Sequence, residues 1–169
     1  MKITENIKKI IKHFNNKDYL KVMEICEKII KFDPNISETY NFYGLALQNL
    51  KKYKQAINYF NKAISLQPKD YSAFNNLAVT YKFLYQNKLA YKNFEKCLDL
   101  NSNYLPALIN FAILKKDLNE YESAIKLLED SLKIKPNPNE IKILFSLSEL
   151  YEQKGEIEKA KEIIKKYLF

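Results

Sequence analysis

The chain has 169 residues, of which 47% are hydrophobic, with only two glycines and five prolines. This excludes a disordered polymer, disfavours a fold of many tight turns and, given abundant Lys, Leu, Ile, Ala and Glu, points to an all-α protein. The net charge of +8 is carried by lysine alone and confined to residues 1–104, where 17 lysines face 9 acids, while residues 105–169 hold 11 of each; a preference for A/T-rich codons, visible also in 18 asparagines, explains much of it without a nucleic-acid ligand.

The N-terminal stretch MKITENIKKIIKHF breaks its isoleucines with lysines and lacks the apolar centre of a secretory signal. No later stretch approaches a membrane span in length. A cytoplasmic protein with no membrane partner is therefore expected. From Ile3 onward, apolar residues recur at helical spacing in windows of 34 residues that begin at Ile3, Ser37, Tyr71 and Leu105, with a fifth window that slips by two to Ile141. Each window predicts two antiparallel helices joined by a short polar turn such as NLKK or DLNE.

The first unit, 3–36, departs most: Ile7, Ile10, Ile11 and Phe14 sit one place late, which predicts a turn shortened by one residue and a first helix that is the least well packed. The second, 37–70, sets small residues Gly44 and Ala56 among bulky Tyr40 and Phe60, and Pro68 stops its last helix as Pro34 does one unit earlier. The third, 71–104, repeats this with Phe74, Ala78, Ala90 and Phe94, with Asn101, Ser102 and Asn103 supplying the turn. The fourth, 105–138, does so with Leu108, Ala112, Ala124, Leu128 and Pro136, and the two-residue slack is expected in NPNE at 137–140. The fifth, 141–169, carries Leu144, Ser148, Ala160 and Ile164. Its last helix keeps one apolar stripe, Ile157, Ala160, Ile163, Ile164, Tyr167 and Leu168, and puts Lys161 where the other units are apolar, the pattern of a terminal cap on a complete five-unit protein.

Eight residues of the second unit, Tyr40, Tyr43, Gly44, Leu47, Ala56, Phe60, Ala63 and Pro68, stand at the offsets of a known repeat: the chain resembles the tetratricopeptide repeat (TPR) family over residues 3–169. The resemblance implies a right-handed α-solenoid of about ten helices forming one domain over 1–169, and a non-enzymatic scaffold for protein–protein interaction. It also implies that the first helices of successive units line a concave surface for a peptide. The places concerned hold Asn41, Phe42 and Leu45, then Asn75, Asn76, Val79 and Lys82, then Ile109, Asn110, Ile113 and Lys116. Asn76 and Asn110, one repeat apart, would offer amides to the backbone of an extended partner. Some relatives grip the C-terminal carboxylates of chaperones. Of that clamp only Asn110 and Lys142 are kept, with Asn75, Val79 and Ser146 in the other places, too little charge for paired carboxylates, so a chaperone tail is disfavoured.

Catalytic chemistry is not suggested. The single histidine, His13, lies among Ile10, Ile11 and Phe14 as a structural residue, two isolated glycines make no phosphate loop, and Cys26 and Cys97 fall in apolar segments without metal-ligand spacing. No metal, cofactor or catalytic residue is expected. The leading expectation is an adaptor that binds a protein or peptide segment. The alternatives are a weak homo-oligomer joined through its terminal helices, including the Phe169 end, and a nucleic-acid binder using the basic first three units. The latter is opposed by the absence of arginine and by a period of 34 rather than 35.

Overall fold

The fold is an unbroken succession of helices: a computed structural model describes residues 3–168, with side chains through Lys165, and shows ten helices and no strand among them. These are α1 (Ile3–Asn15), α2 (Tyr19–Phe32), α3 (Ser37–Asn49), α4 (Tyr53–Leu66), α5 (Tyr71–Phe83), α6 (Asn87–Leu100), α7 (Leu105–Asp117), α8 (Tyr121–Leu132), α9 (Glu140–Gln153) and α10 (Ile157–Leu168). The chain divides into two compact units, Met1–Leu100 with α1–α6 and Asn101–Phe169 with α7–α10. Phe169 and the side chains of Tyr167 and Leu168, assigned above to the terminal stripe, lie outside the described residues.

Every helix pair is closed by the same turn. Its middle residue is left-handed: Lys17 (φ 59°), Lys51 (59°), Tyr85 (57°), Asn119 (61°) and Gly155 (79°). In each, that residue's N–H returns to the carbonyl three residues back and the next N–H reaches five back, as in Lys51 N to Gln48 O (3.0 Å) and Lys52 N to Leu47 O (2.8 Å). These two bonds satisfy carbonyls that the helix end would otherwise leave open. The first unit follows suit, with Lys17 N on Phe14 O and Asp18 N on His13 O, both 2.9 Å. Its turn is therefore not shortened, contrary to the expectation from its apolar pattern. Asp18 caps α2 by accepting from Lys21 N, and Asp70 caps α5 by accepting from Ser72 N and Ala73 N.

Packing accounts for the apparent shift. Where later units place a small residue on the first helix against a large one on the second, the first unit reverses the sizes. Gly44 stands so close to the Phe60 ring that a Cβ there would lie 2.6 Å from Cε1. At the equivalent places the first unit has Ile10 and Cys26, both fully buried. The summed volume is kept, which cores tolerate well. A core cluster within Met1–Leu100 gathers Ile10, Val22, Cys26, Ile29, Leu47 and Phe60. Helix α1 buries only Ile10, in line with its expected loose packing, and α10 buries only Ala160 among its described side chains.

Within Asn101–Phe169 the core gathers Ala112, Ala124, Leu128, Ile143, Leu147 and Leu150. Here α8 ends at Leu132, two residues before the place where α2, α4 and α6 stop, and residues 133–139 lead to α9. The slack thus begins ahead of NPNE. Asn137 holds the loop by donating through Nδ2 to Ser131 O (2.7 Å), and its Oδ1 accepts from Asn139 N (3.0 Å).

Candidate functional site

Within Met1–Leu100, the first helices α3 and α5 lie side by side and run the same way, because α4 returns the chain between them. Phe42, Leu45, Asn76, Val79 and Lys82 are half-buried on this shared face. Asn41 and Asn75, assigned above to the same surface, sit deeper, at 8% and 4% exposure. The reason is a polar ladder between the helices. Asn41 donates through Nδ2 to Ser72 Oγ (2.9 Å), Asn76 donates to Asn41 Oδ1 (2.9 Å), and Asn75 donates to Asn76 Oδ1 (3.1 Å). Asn76 thus spends its amide oxygen and one N–H on its neighbours.

Two further residues complete that ladder and went unassigned in the sequence. Gln48 donates through Nε2 to Asn76 O (3.1 Å) and to Thr80 Oγ1 (2.8 Å), and Thr80 donates to Asn76 O (2.8 Å). Gln48 occupies the same repeat place as Lys82 and Lys116, so its position was legible although its bond was not. At the end of this face Gln48, Asn49, Lys51, Tyr53, Val79 and Phe83 line a shallow depression, where the rings of Tyr53 and Phe83 stack at 5.1 Å.

Within Asn101–Phe169, the corresponding face belongs to α7 and α9. Ile109, Asn110, Ile113 and Lys116 are half-buried. Ile109, Ile113, Lys116, Lys142, Ser146 and Leu150 line a narrow cleft between the two helices. Lys116 Nζ lies 3.7 Å from Glu149 Oε2. Ile141 and Phe145, one turn apart on α9, are 62% and 66% exposed beside this cleft. The repeat frame puts Phe145 at a groove place, which was the available signal for it.

The remaining reactive groups are structural. Burial pushes the thiols of Cys26 and Cys97 up to about 12, which keeps them protonated and inert. Burial and a hydrogen bond to Glu27 (2.7 Å) raise the Tyr43 hydroxyl. His13 Nδ1 meets Asp18 Oδ2 at 3.1 Å, and the buried Lys115 takes the corresponding place in the fourth pair, meeting Glu120 at 2.5 Å. No group of His, Cys, Asp and Glu among the described residues is placed to hold a metal, and none of the described helices is long and apolar enough to cross a membrane.

Helix pairs recurring every 34 residues, a shared turn and a face of half-buried first-helix residues define a helical-repeat scaffold. The tetratricopeptide repeat profile matches residues 37–70, 105–138 and 141–168, and a second profile of the same repeat matches 59–92. The chain belongs to the tetratricopeptide repeat family. Among solved structures it is similar to a MamA protein, at 24% identity with 98% of this chain and 89% of that chain covered and a TM-score of 0.77. It is also similar to MamA from Desulfovibrio magneticus RS-1 (19% identity, 98% and 92% covered, TM-score 0.79). A third similar structure is YrrB, described as a TPR protein with an unusual peptide-binding site (20% identity, 95% and 82% covered, TM-score 0.68). At these identities the likeness concerns the fold. No curated protein sequence matches the chain.

Proposed function

We propose that the chain is a non-enzymatic adaptor whose first-helix faces receive a segment of a partner protein. The observation that carries this reading is the pair Leu45 and Val79 on α3 and α5, one repeat place that stays apolar yet only half-buried in successive first helices of Met1–Leu100. Asn76 stands beside that row with a polar side chain and Lys82 flanks it; within Asn101–Phe169, Ile113, Asn110 and Lys116 hold the same three repeat places on α7. An extended segment would lay apolar side chains on the row and direct backbone groups to the amides. Two buried, protonated cysteines fit a reducing, cytoplasmic setting.

Selection of peptides from a displayed random library against the chain tests this. Selected peptides should bind the unaltered chain and lose at least tenfold affinity for Leu45→Lys/Val79→Lys. Charge reversal on the second helices, at Lys62 and Lys96, should leave binding intact. Loss of binding on the second helices with no effect at Leu45 and Val79 would overturn the proposal.

A further inference from the structure

The charge of Met1–Leu100 is not spread over its surface. Three segments make up the tips of its helix pairs: residues 12–22, 46–56 and 80–90. Together they hold eight lysines, 12, 17, 21, 51, 52, 54, 82 and 88, against the single acid Asp18. The rest of the unit holds nine lysines and eight acids, close to balance. A codon preference would raise lysine everywhere and cannot produce this segregation. The matching tips of the fourth and fifth pairs, 114–124 and 150–160, each carry three acids and two lysines. The basic edge is therefore particular to one unit.

Topology sets the three tips side by side. Each pair consists of a first helix of 13 residues, a three-residue turn and a second helix of 14, so the turns fall at the same end of the unit. Tyr53 and Phe83 stack from neighbouring tips. The edge also gathers exposed apolar side chains: Leu20 (69% exposed), Phe83 (49%), Tyr85 (89%) and Leu89 (44%). Lys12, Lys17, Lys51, Lys52 and Lys88 form no ion pair among the described residues.

We infer that this edge is a docking surface for an anionic phospholipid bilayer. The chemistry of the edge selects among ligands. At each tip two main-chain N–H groups are committed to the turn, as with Tyr85 N to Lys82 O and Gln86 N to Tyr81 O, and those left open at the first turns of α2, α4 and α6 belong to separate helices, so the edge offers no continuous strand of donors to an extended peptide. A nucleic-acid strand calls for a groove that tracks its backbone, whereas these are protruding ends that carry leucines as well as rings. A bilayer surface takes what is present. Lysines are attracted to anionic headgroups, and a tyrosine with an apolar body and a polar tip suits the headgroup level, with leucines reaching just below. The expectation from sequence of no membrane partner rested on the lack of a spanning segment, and surface docking needs none. The edge meets the end of the first-helix face at Lys51, Tyr53, Lys82 and Phe83, but the peptide reading is tested at Leu45 and Val79 and the bilayer reading with vesicles, so either can fail alone.

Flotation of the whole chain with vesicles tests the inference. Vesicles of phosphatidylcholine with about a third phosphatidylglycerol should carry the chain at low salt, pure phosphatidylcholine vesicles should not, and binding should fall steeply as salt rises. Lys51→Glu/Lys52→Glu should lower partitioning at least tenfold, and Tyr85→Gly/Leu89→Ser severalfold. Lys31→Glu/Lys69→Glu, at the opposite ends of the helices, should have little effect. Thermal melting of each variant establishes that it is folded. Failure of the unaltered chain to float with anionic vesicles overturns the inference. So does equal loss from both charge reversals, or a single-stranded oligonucleotide competing at the edge while vesicles are ignored.

Discussion

Replacing Gly44 by alanine tests the packing of the repeat at its tightest point. The added methyl would lie 2.6, 2.8 and 3.0 Å from Cε1, Cδ1 and Cζ of Phe60. Carbon atoms rest at about 3.5–4.0 Å, so the ring must retreat by about 1 Å. Phe60 is fully buried and has no open side to move toward. Overpacking of this kind costs about 1–3 kcal/mol, while alanine is the better helix former by about 1 kcal/mol. Because the contacts are well inside van der Waals distance the collision outweighs the propensity gain, and Gly44→Ala should lose up to about 2 kcal/mol. In a Phe60→Leu background the obstruction is reduced, so the same change should become neutral or stabilising. The two sites should thus couple by about 2 kcal/mol in a double-mutant cycle. Urea unfolding followed by circular dichroism measures all four proteins. Equal effects of Gly44→Ala in both backgrounds would refute the close approach and the register built on it.

Thr39 is fully buried and its hydroxyl has no hydrogen-bond partner, so Thr39→Val should raise the urea midpoint, by about 1 kcal/mol in stability. Asn76→Ala removes the bonds to Asn41 and from Asn75, each worth about 0.5–1.5 kcal/mol, against a helix-propensity gain of up to about 0.7 kcal/mol; a net loss is expected, and it should shrink in an Asn41→Ala background. Hydrogen bonds from Lys21 and Lys28 hold the Glu24 carboxyl down at about 2, and those from Lys154 and Lys159 do the same for Glu156, against an ordinary value of 4.5. A carboxylate depressed in the folded state contributes stability above its unfolded value and loses it as pH falls toward 2. The thermal midpoint should accordingly drop through that window, and because these pairs are on the surface, the drop should shrink in high salt.

Much of the fold was legible because a repeat states each structural rule several times. Ala56, Ala90 and Ala124 recur where helices approach closely, and all three are fully buried. The turn was read only by its polarity. Its left-handed residue is Lys17, Lys51, Tyr85, Asn119 or Gly155, and only the last announces such a conformation. The others are held by two hydrogen bonds to the preceding helix, whose gain offsets a cost on the order of 1–2 kcal/mol for a side chain at positive φ. Frame was misjudged in the first unit for a related reason. Large Ile10 opposite small Cys26 is as acceptable as Gly44 opposite Phe60, but a scan for one residue size at one place cannot see that the pair, and not the position, is conserved in volume.

The candidate site was legible in its row and not in its depth. Periodicity places Asn41, Asn75, Asn76, Leu45 and Val79 on first helices at chosen angles, and an angle is enough to predict that Leu45 and Val79 lie half-covered. Whether an amide meets a ligand or a neighbour depends on the gap between adjacent helices, which no single helix encodes. Asn76 reaches Asn41 because α3 and α5 approach within the span of two short side chains. The same limit applied to charge. An excess of lysine in residues 1–104 is visible by counting, but folding each pair back at its turn turns three separated segments into one edge. Both proposed surfaces are made by what successive repeats bring together, so substitutions designed in pairs across neighbouring repeats will discriminate between them better than single changes within one.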